Sequence, residues 1–314
     1  MKTINGTATA LHPDCLRFLD YLLHIKKYSP HTIKNYRTDL IGLSTLFSTT
    51  APLQVNATHI RKLTNQLHSR QLQPRSIARH LSCWRVFFSW LANQNLAGVA
   101  INPVMGIKAP KRSKGLPKAL SVDDAIHLVE HALGSTPNEA ADHAMFELLY
   151  SSGLRVSELV NLDHAFCSSA AYTSSGWIDL SEGLVHVTGK GNKSREIPVG
   201  AAAINALTHW LTVRKSLIRT EKNALFLTNR GTRISARSVQ LRIKIHAKRL
   251  NLKSDVHPHV LRHSFASHVL QSSGDLRAVQ ELLGHASIAS TQIYTALDFQ
   301  HLSQTYDAAH PRKN

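Results

Sequence analysis

The first hundred residues place apolar side chains at the three- and four-residue spacing of amphipathic helices. Ser29 followed by Pro30 has the pattern of an N-cap and a first-turn proline. Thr58 is predicted to cap a second helix, and a third helix is predicted to start near Pro74. The last of these helices carries an aromatic stripe that consists of Trp84, Phe87, Phe88 and Trp90. We interpret this stripe as core and not as a base-stacking surface.

After residue 118 the pattern becomes a mixture of helices and short strands. Helices are predicted after Ser121 and over 139–150, 154–162, 201–218, 235–250, 259–272 and 275–283. Strands are predicted over 178–180, 184–188 and 196–199, with a glycine-rich turn at 189–192 between the last two. The expected fold class is therefore mainly α, with a small β-sheet in the second part.

Prolines, glycines and basic residues interrupt the helical pattern over 97–118. This change divides the chain into a predicted helical domain over 1–108, a linker over 109–118 and a mixed α+β domain over 119–314. Two domains also agree with the length of the chain.

The charge balance favours a polyanionic partner. The 314 residues carry a net charge of +17 at pH 7, and residues 1–112 hold 15 of the 37 Lys and Arg but three of the 20 Asp and Glu. Nucleic acid is the first candidate partner and an anionic membrane surface the second. The three cysteines form no CxxC pair. The sequence also contains neither a secretory signal nor a membrane-spanning run. These features together predict a cytoplasmic location.

Four short segments carry side chains suited to phosphoryl transfer. They are 153–159 (GLRVSEL), 189–193 (GKGNK), 257–263 (HPHVLRH) and 282–285 (LLGH), the last followed nine residues later by Tyr294. Each one alone has an ordinary structural explanation, such as a surface arginine, a hairpin tip or a half-buried tyrosine. Together they supply the groups needed for reaction at a DNA backbone.

Negative charge develops on the non-bridging oxygens when a phosphodiester is attacked. Arg155 and Arg262 would grip these oxygens through forked hydrogen bonds, and His285 would donate another. Tyr294 supplies the hydroxyl nucleophile. Its ordinary pKa of about 10 requires a base or a strongly cationic site.

Two further residues are candidates for proton transfer. His259 would accept the tyrosine proton, and Lys190, on the predicted hairpin, would protonate the departing 5′ oxygen. Because a phosphotyrosine bond retains the energy of the broken phosphodiester, rejoining would need no nucleotide. We therefore predict no cofactor and no metal ion.

These segments resemble the tyrosine recombinase (lambda-integrase-like) family. The family pattern of Arg, Lys, His-x-x-Arg, His and Tyr falls on Arg155, Lys190, His259, Arg262, His285 and Tyr294. The resemblance implies a helical, SAM-like core-binding domain and a catalytic domain that close on DNA as a C-shaped clamp. It also implies a 3′-phosphotyrosyl intermediate and a synaptic tetramer that exchanges one pair of strands at a time.

Segments outside the catalytic set resemble the chromosome-dimer resolvases of that family. These segments are 29–32, 233–237, 279–285 and 306–312. The partners that this resemblance implies are double-stranded DNA with a dif-like site, a XerD-like recombinase in a heterotetramer and an FtsK-type translocase. The implied function is the resolution of chromosome dimers during segregation.

Two segments add to this picture. Residues 166–175 are longer and more polar than the link that the family has before its first strand, and they are predicted to form a surface loop. Leu297, Phe299 and Leu302 predict a short C-terminal helix. In the family such a tail docks in trans on a neighbouring subunit; packing on its own domain is the alternative.

Other functions stay open at this point. A mobile-element integrase would share the chemistry but act at a different site, and a type IB topoisomerase would act as a monomer without synapsis. A metal-dependent nuclease would use the clustered His257, His259 and His263, yet neither an HExxH motif nor a carboxylate cluster accompanies them. A DNA-binding protein that has lost catalysis is disfavoured, because every expected catalytic residue type is present.

Overall fold

The computed structural model describes residues 11–94, 102–110, 119–131, 136–189 and 194–284. The chain forms two compact units, Met1–Gly115 and Leu116–Asn314. Both are built mainly from helices, and the second also contains a three-stranded sheet. The predicted fold class is therefore confirmed.

The described part of the first unit is helical. Its α-helices are α1 (Pro13–Asp20), α2 (Pro30–Phe47), α3 (Ala57–Ser69) and α4 (Pro74–Ala92), with a π-helical turn at Tyr21–Ile25 and a 3₁₀ turn at Pro52–Gln54. Ser29 caps α2 as predicted, because its side chain accepts a hydrogen bond from the Thr32 backbone N–H. The predicted cap at Thr58 is wrong. Asn56 caps α3 instead, and its side chain accepts from the backbone N–H groups of Thr58 and His59.

The aromatic stripe of α4 forms the core of the first unit, as predicted. Trp84, Phe87 and Phe88 are completely buried. Asp39 of α2 is also completely buried, and its carboxylate accepts two hydrogen bonds from Arg79, both at 2.8 Å. This paired charge fixes α2 against α4, since a buried carboxylate without a partner would be strongly destabilising.

The second unit surrounds a central helix. The helices in its described part are α5 (Val122–Glu130), α6 (Pro137–Ser152), α7 (Val156–Asn161), α8 (Ala201–Arg214), α9 (Ala236–Arg249), α10 (Pro258–Ser273) and α11 (Leu276–Leu283), with a 3₁₀ turn at Lys215–Leu217. The central helix is α6, which packs against α5, α8 and α10. Nine of its sixteen residues are buried, so it contributes to the hydrophobic core along most of its length.

The three strands form an antiparallel sheet in the order β1-β2-β3. They are β1 (Gly176–Asp179), β2 (Leu184–Thr188) and β3 (Ser194–Pro198). Val185 lies opposite both Ile178 and Ile197, and these three residues are buried on the inner face. Pairing of Gly176 with Val187 and of Ser194 with Thr188 places the starts of β1 and β3 two residues earlier than predicted.

Residues 166–175 form a surface loop, as predicted. The buried carboxylate of Asp163 anchors it, because this group accepts hydrogen bonds from Tyr172 Oη and Ser174 Oγ, each at 2.6 Å. Arg233 pairs with the other oxygen of Asp163, also at 2.6 Å. Among the described residues, no helix is both long enough and apolar enough to cross a membrane.

Candidate active site

Arg262 is anchored at the centre of the second unit. It lies on α10, one turn after the start of the helix, and its residue is 7% exposed. Its two terminal nitrogens donate to the backbone carbonyls of Gly153, at 2.6 Å, and Leu283, at 2.7 Å. Arg262 therefore joins the end of α6 to the end of α11.

Gly153 makes this junction possible. It ends α6 with a left-handed backbone, at φ +59°, a conformation that glycine adopts without steric cost. A methyl group at this position would lie 2.3 Å from Cδ1 of Phe265. The turn at Gly153 brings the chain directly to Arg155, at the start of α7.

Arg155 is held by Glu158, three residues further along the chain. The backbone N–H and Nη1 of Arg155 each donate to one carboxylate oxygen of Glu158, both at 2.8 Å. Its Nη2 lies 3.5 Å from the carbonyl oxygen of Gly284, the residue that ends α11. The side chain is 36% exposed, so the guanidinium is held in place and also reachable from solvent.

Glu158 has a second partner that the sequence did not indicate. Arg195 of β3 donates through Nη1 and Nη2 to the two oxygens of Glu158, at 3.0 and 2.9 Å, and through Nε to the carbonyl of Leu282, at 3.2 Å. Burial by itself would raise the pKa of Glu158. The hydrogen bonds from Arg195 and from the Arg155 backbone outweigh it and hold this pKa below its ordinary value.

Strand alternation is the signal that could have identified Arg195. Residues two apart in a strand face the same side of the sheet, so Arg195 shares a side with the completely buried Ile197. A charged residue on the inner face of a sheet requires an ionic partner. That partner is Glu158, which lies 37 positions away in the sequence.

A cavity of about 570 Å³ opens beside Arg155, Glu158 and Arg195. Gly189 and Gly284 also line it. These two glycines directly precede Lys190 and His285 in the sequence. Lys190, His285 and Tyr294, and the predicted C-terminal helix, lie outside the described residues, so their roles stay predictions.

His259 occupies the first turn of α10, one turn before Arg262. It is exposed, and its ring lies edge-to-face with that of His257 at a centroid distance of 6.0 Å. The structure thus brings Arg155 and Arg262 together at the C-terminal end of α11. It places His259 on α10, the helix that carries Arg262. Within the described ranges, no group of three His, Cys, Asp or Glu side chains is arranged to hold a metal ion.

Replacing Glu158 by Gln should destabilise the second unit in a pH-dependent way. We expect a loss of about 1–3 kcal/mol in the free energy of unfolding at neutral pH, because two guanidiniums lose their charged partner. The native pKa of Glu158 lies below the ordinary 4.5, so its contribution is fully present above that pH and is lost as the pH falls through the native pKa.

Thermal unfolding of the parent and of Glu158→Gln, followed from pH 7 downward, measures this effect. The difference in Tm between the two proteins should shrink once the pH falls below about 4.5. A difference that stays constant across the whole range would show that the carboxylate charge does not stabilise the fold.

Two family models match this chain. Residues 118–301 match the model described as the phage integrase family, and residues 16–95 match the phage integrase N-terminal SAM-like domain. A protein from Ralstonia pickettii (strain 12J), called tyrosine recombinase XerC, is 51% identical over 97% of this chain and 95% of its own length.

Two solved structures of recombinases have a fold similar to that of this chain. A crystal structure of XerA recombinase has a TM-score of 0.53 and 30% identity, and covers 95% of this chain and 98% of its own. A post-cleavage complex of the XerH site-specific recombinase with palindromic difH DNA has a TM-score of 0.70 and 21% identity, and covers 88% of this chain and 79% of its own.

The fold and the relatives together define a site-specific recombinase that transfers DNA strands through a tyrosine nucleophile. The chain belongs to the phage integrase family. The resemblance drawn from the sequence motifs is therefore confirmed.

Proposed function

We propose that this recombinase resolves chromosome dimers at a dif-type site, together with a XerD-like recombinase. The observation that carries the proposal is the 51% identity, over nearly the full length of both chains, to a protein called tyrosine recombinase XerC. Similarity of that extent covers the segments around the predicted catalytic residues as well as the rest of the chain.

The proposed chemistry assigns a role to each of six residues. Double-stranded DNA binds with one phosphodiester beside Arg155 and Arg262, which neutralise its non-bridging oxygens, and His285 donates a further hydrogen bond. The Tyr294 oxygen forms a new bond to phosphorus while the bond to the 5′ oxygen breaks, which leaves a 3′-phosphotyrosyl link. His259 accepts the tyrosine proton and Lys190 protonates the released 5′ oxygen.

The geometry around Arg155 supports this assignment. Glu158 fixes the guanidinium before any DNA arrives, so less free energy is needed to order this long side chain when the phosphate binds. The open cavity beside it gives access to the site. No step requires a metal ion or a nucleotide cofactor.

The proposed organisation places a DNA core-binding domain at 1–108, a linker at 109–118 and the catalytic domain at 119–314, closing on DNA as a clamp. Arg61 and Lys62 on α3 are exposed and would contact phosphates. We further propose a heterotetramer with a XerD-like recombinase, control by an FtsK-type translocase, and a cytoplasmic location.

A recombination assay tests this function. A plasmid carrying two directly repeated dif-like sites is incubated in EDTA with this protein, with a XerD-like recombinase from the same genome, or with both. We expect recombinant circles, or the four-way junction left by exchange of the first pair of strands, when both proteins are present, and neither product when the sites are scrambled.

Recombination by this protein alone would overturn the need for the partner. Activity at unrelated sites but not at dif-like sites would instead indicate a mobile-element integrase. Cut ends that form only after magnesium replaces EDTA would contradict the tyrosine mechanism.

A further inference from the structure

The C-terminal end of α11 is held by three arginines from three different elements. The consecutive carbonyls of Leu282, Leu283 and Gly284 accept, in that order, from Arg195 of β3, Arg262 of α10 and Arg155 at the start of α7. The contact distances are 3.2, 2.7 and 3.5 Å.

This arrangement has a clear physical cause. The last carbonyls of a helix have no partner within the helix, and they carry the negative end of its dipole, so cations stabilise them. Gly284 ends α11 with a left-handed backbone at φ +62°. A methyl group on it would come within 3.0 Å of Nη1 of Arg195. The three guanidiniums therefore fix the point from which the chain continues to His285.

Arg195 contacts both the side-chain carboxylate of Glu158 and the backbone at the end of α11. Two of its nitrogens bind the carboxylate that orients Arg155, and the third binds the end of α11. Its side chain is 13% exposed, and these three contacts direct it toward protein groups. The planar, forked guanidinium can make all three contacts at once, which a lysine cannot do.

We propose that Arg195 is a positioning residue for strand cleavage: through Glu158 it fixes the guanidinium of Arg155, and through Leu282 it fixes the chain that leads to His285. The inference rests on the proposed role of Arg155. It assigns a function to a residue outside the six predicted catalytic positions. Arg195 itself contacts neither the phosphate nor the nucleophile in this scheme.

The test compares Arg195→Lys with a matched control, Arg242→Lys. Arg242 is also a largely buried arginine of the second unit, with Nε 2.6 Å from Asp142 and Nη2 donating to the Asn138 carbonyl, but it does not contact α11. Three quantities are measured for each full-length protein: the Tm, the affinity for a dif-like duplex, and the single-turnover rate of covalent adduct formation on a nicked dif-like duplex.

Arg195→Lys should form the adduct about 10- to 100-fold more slowly than the parent, because small displacements of an orienting group have effects of this size. Its DNA affinity should match that of the parent. Its Tm should fall about as much as that of Arg242→Lys, which should cleave at the parental rate. A parental rate for Arg195→Lys, or a loss of affinity equal to its loss of rate, would overturn the proposal.

A double substitution separates positioning from general stabilisation. If Arg195 acts through Glu158, then Glu158→Gln combined with Arg195→Lys should be about as slow as the slower single variant. Rate losses that multiply would show that the two residues act independently.

Arg155→Ala is measured alongside these variants. Normal cleavage by Arg155→Ala would overturn the proposed site. Slow cleavage by Arg155→Ala together with normal cleavage by Arg195→Lys would overturn only the positioning role.

Discussion

Tyr294→Phe should abolish the covalent protein–DNA adduct and leave DNA affinity nearly unchanged. The substitution removes one hydroxyl group, the proposed nucleophile, and leaves the basic surfaces that bind phosphates intact. The measurement is trapping on a nicked dif-like duplex in EDTA, followed by denaturation, with a gel-shift titration of the same preparation.

Tyr172→Phe is the matched control for this experiment. It also removes a single tyrosine hydroxyl. This hydroxyl belongs to the surface loop, donates to the buried Asp163 and lies outside the proposed site. We expect this variant to form the adduct at the parental rate. An adduct formed by Tyr294→Phe would show that another residue attacks the DNA, and loss of binding by that variant would assign Tyr294 to recognition.

Arg262→Ala and Arg155→Ala should each slow cleavage by about 10²–10³-fold, the typical effect of removing one preorganised donor from a developing negative charge. Their effects on stability should differ. Arg262 is buried and satisfies the carbonyls of Gly153 and Leu283, so its loss should reduce the free energy of unfolding by about 1–3 kcal/mol for each carbonyl left unpaired.

Arg155→Ala should change the stability much less, because Arg155 is partly exposed and Glu158 keeps Arg195 as a partner. Single-turnover cleavage and thermal unfolding, measured on both variants, test this difference. Parental cleavage by either variant would remove that arginine from the proposed site. Equal losses of Tm would contradict the assignment of the structural role to Arg262.

The helix starts that the sequence predicted correctly depend on local signals. Ser29 accepts a hydrogen bond within the first turn of α2, Pro74 is the first residue of α4, and Ser121 caps α5 through the Asp124 backbone. The sequence pattern did not indicate α1 (Pro13–Asp20). This helix is eight residues long, and Leu19 and other residues on it are buried by packing against α2 and α4, which local patterning does not encode.

Sequence-based prediction of the site is limited for the same reason: contacts between distant parts of the chain are not encoded in local patterns. Arg155 and Arg262 stand in short, recognisable motifs, so the sequence could nominate them, although their catalytic roles stay predictions. Arg195 has no local motif, because its partners lie 37 and 87 positions away. Only the folded chain brings β3, α7 and the end of α11 together.

The end of α11 gathers three positive charges at one helix terminus. Arg155, Arg195 and Arg262 converge on it, and one carboxylate, Glu158, contacts two of the three guanidiniums. Like charges held together oppose folding, and natural sequences tolerate such conflicts mainly where function requires them. A phosphate that binds beside Arg155 and Arg262 would relieve this repulsion, so the same charges would make the folded state more stable when DNA is bound.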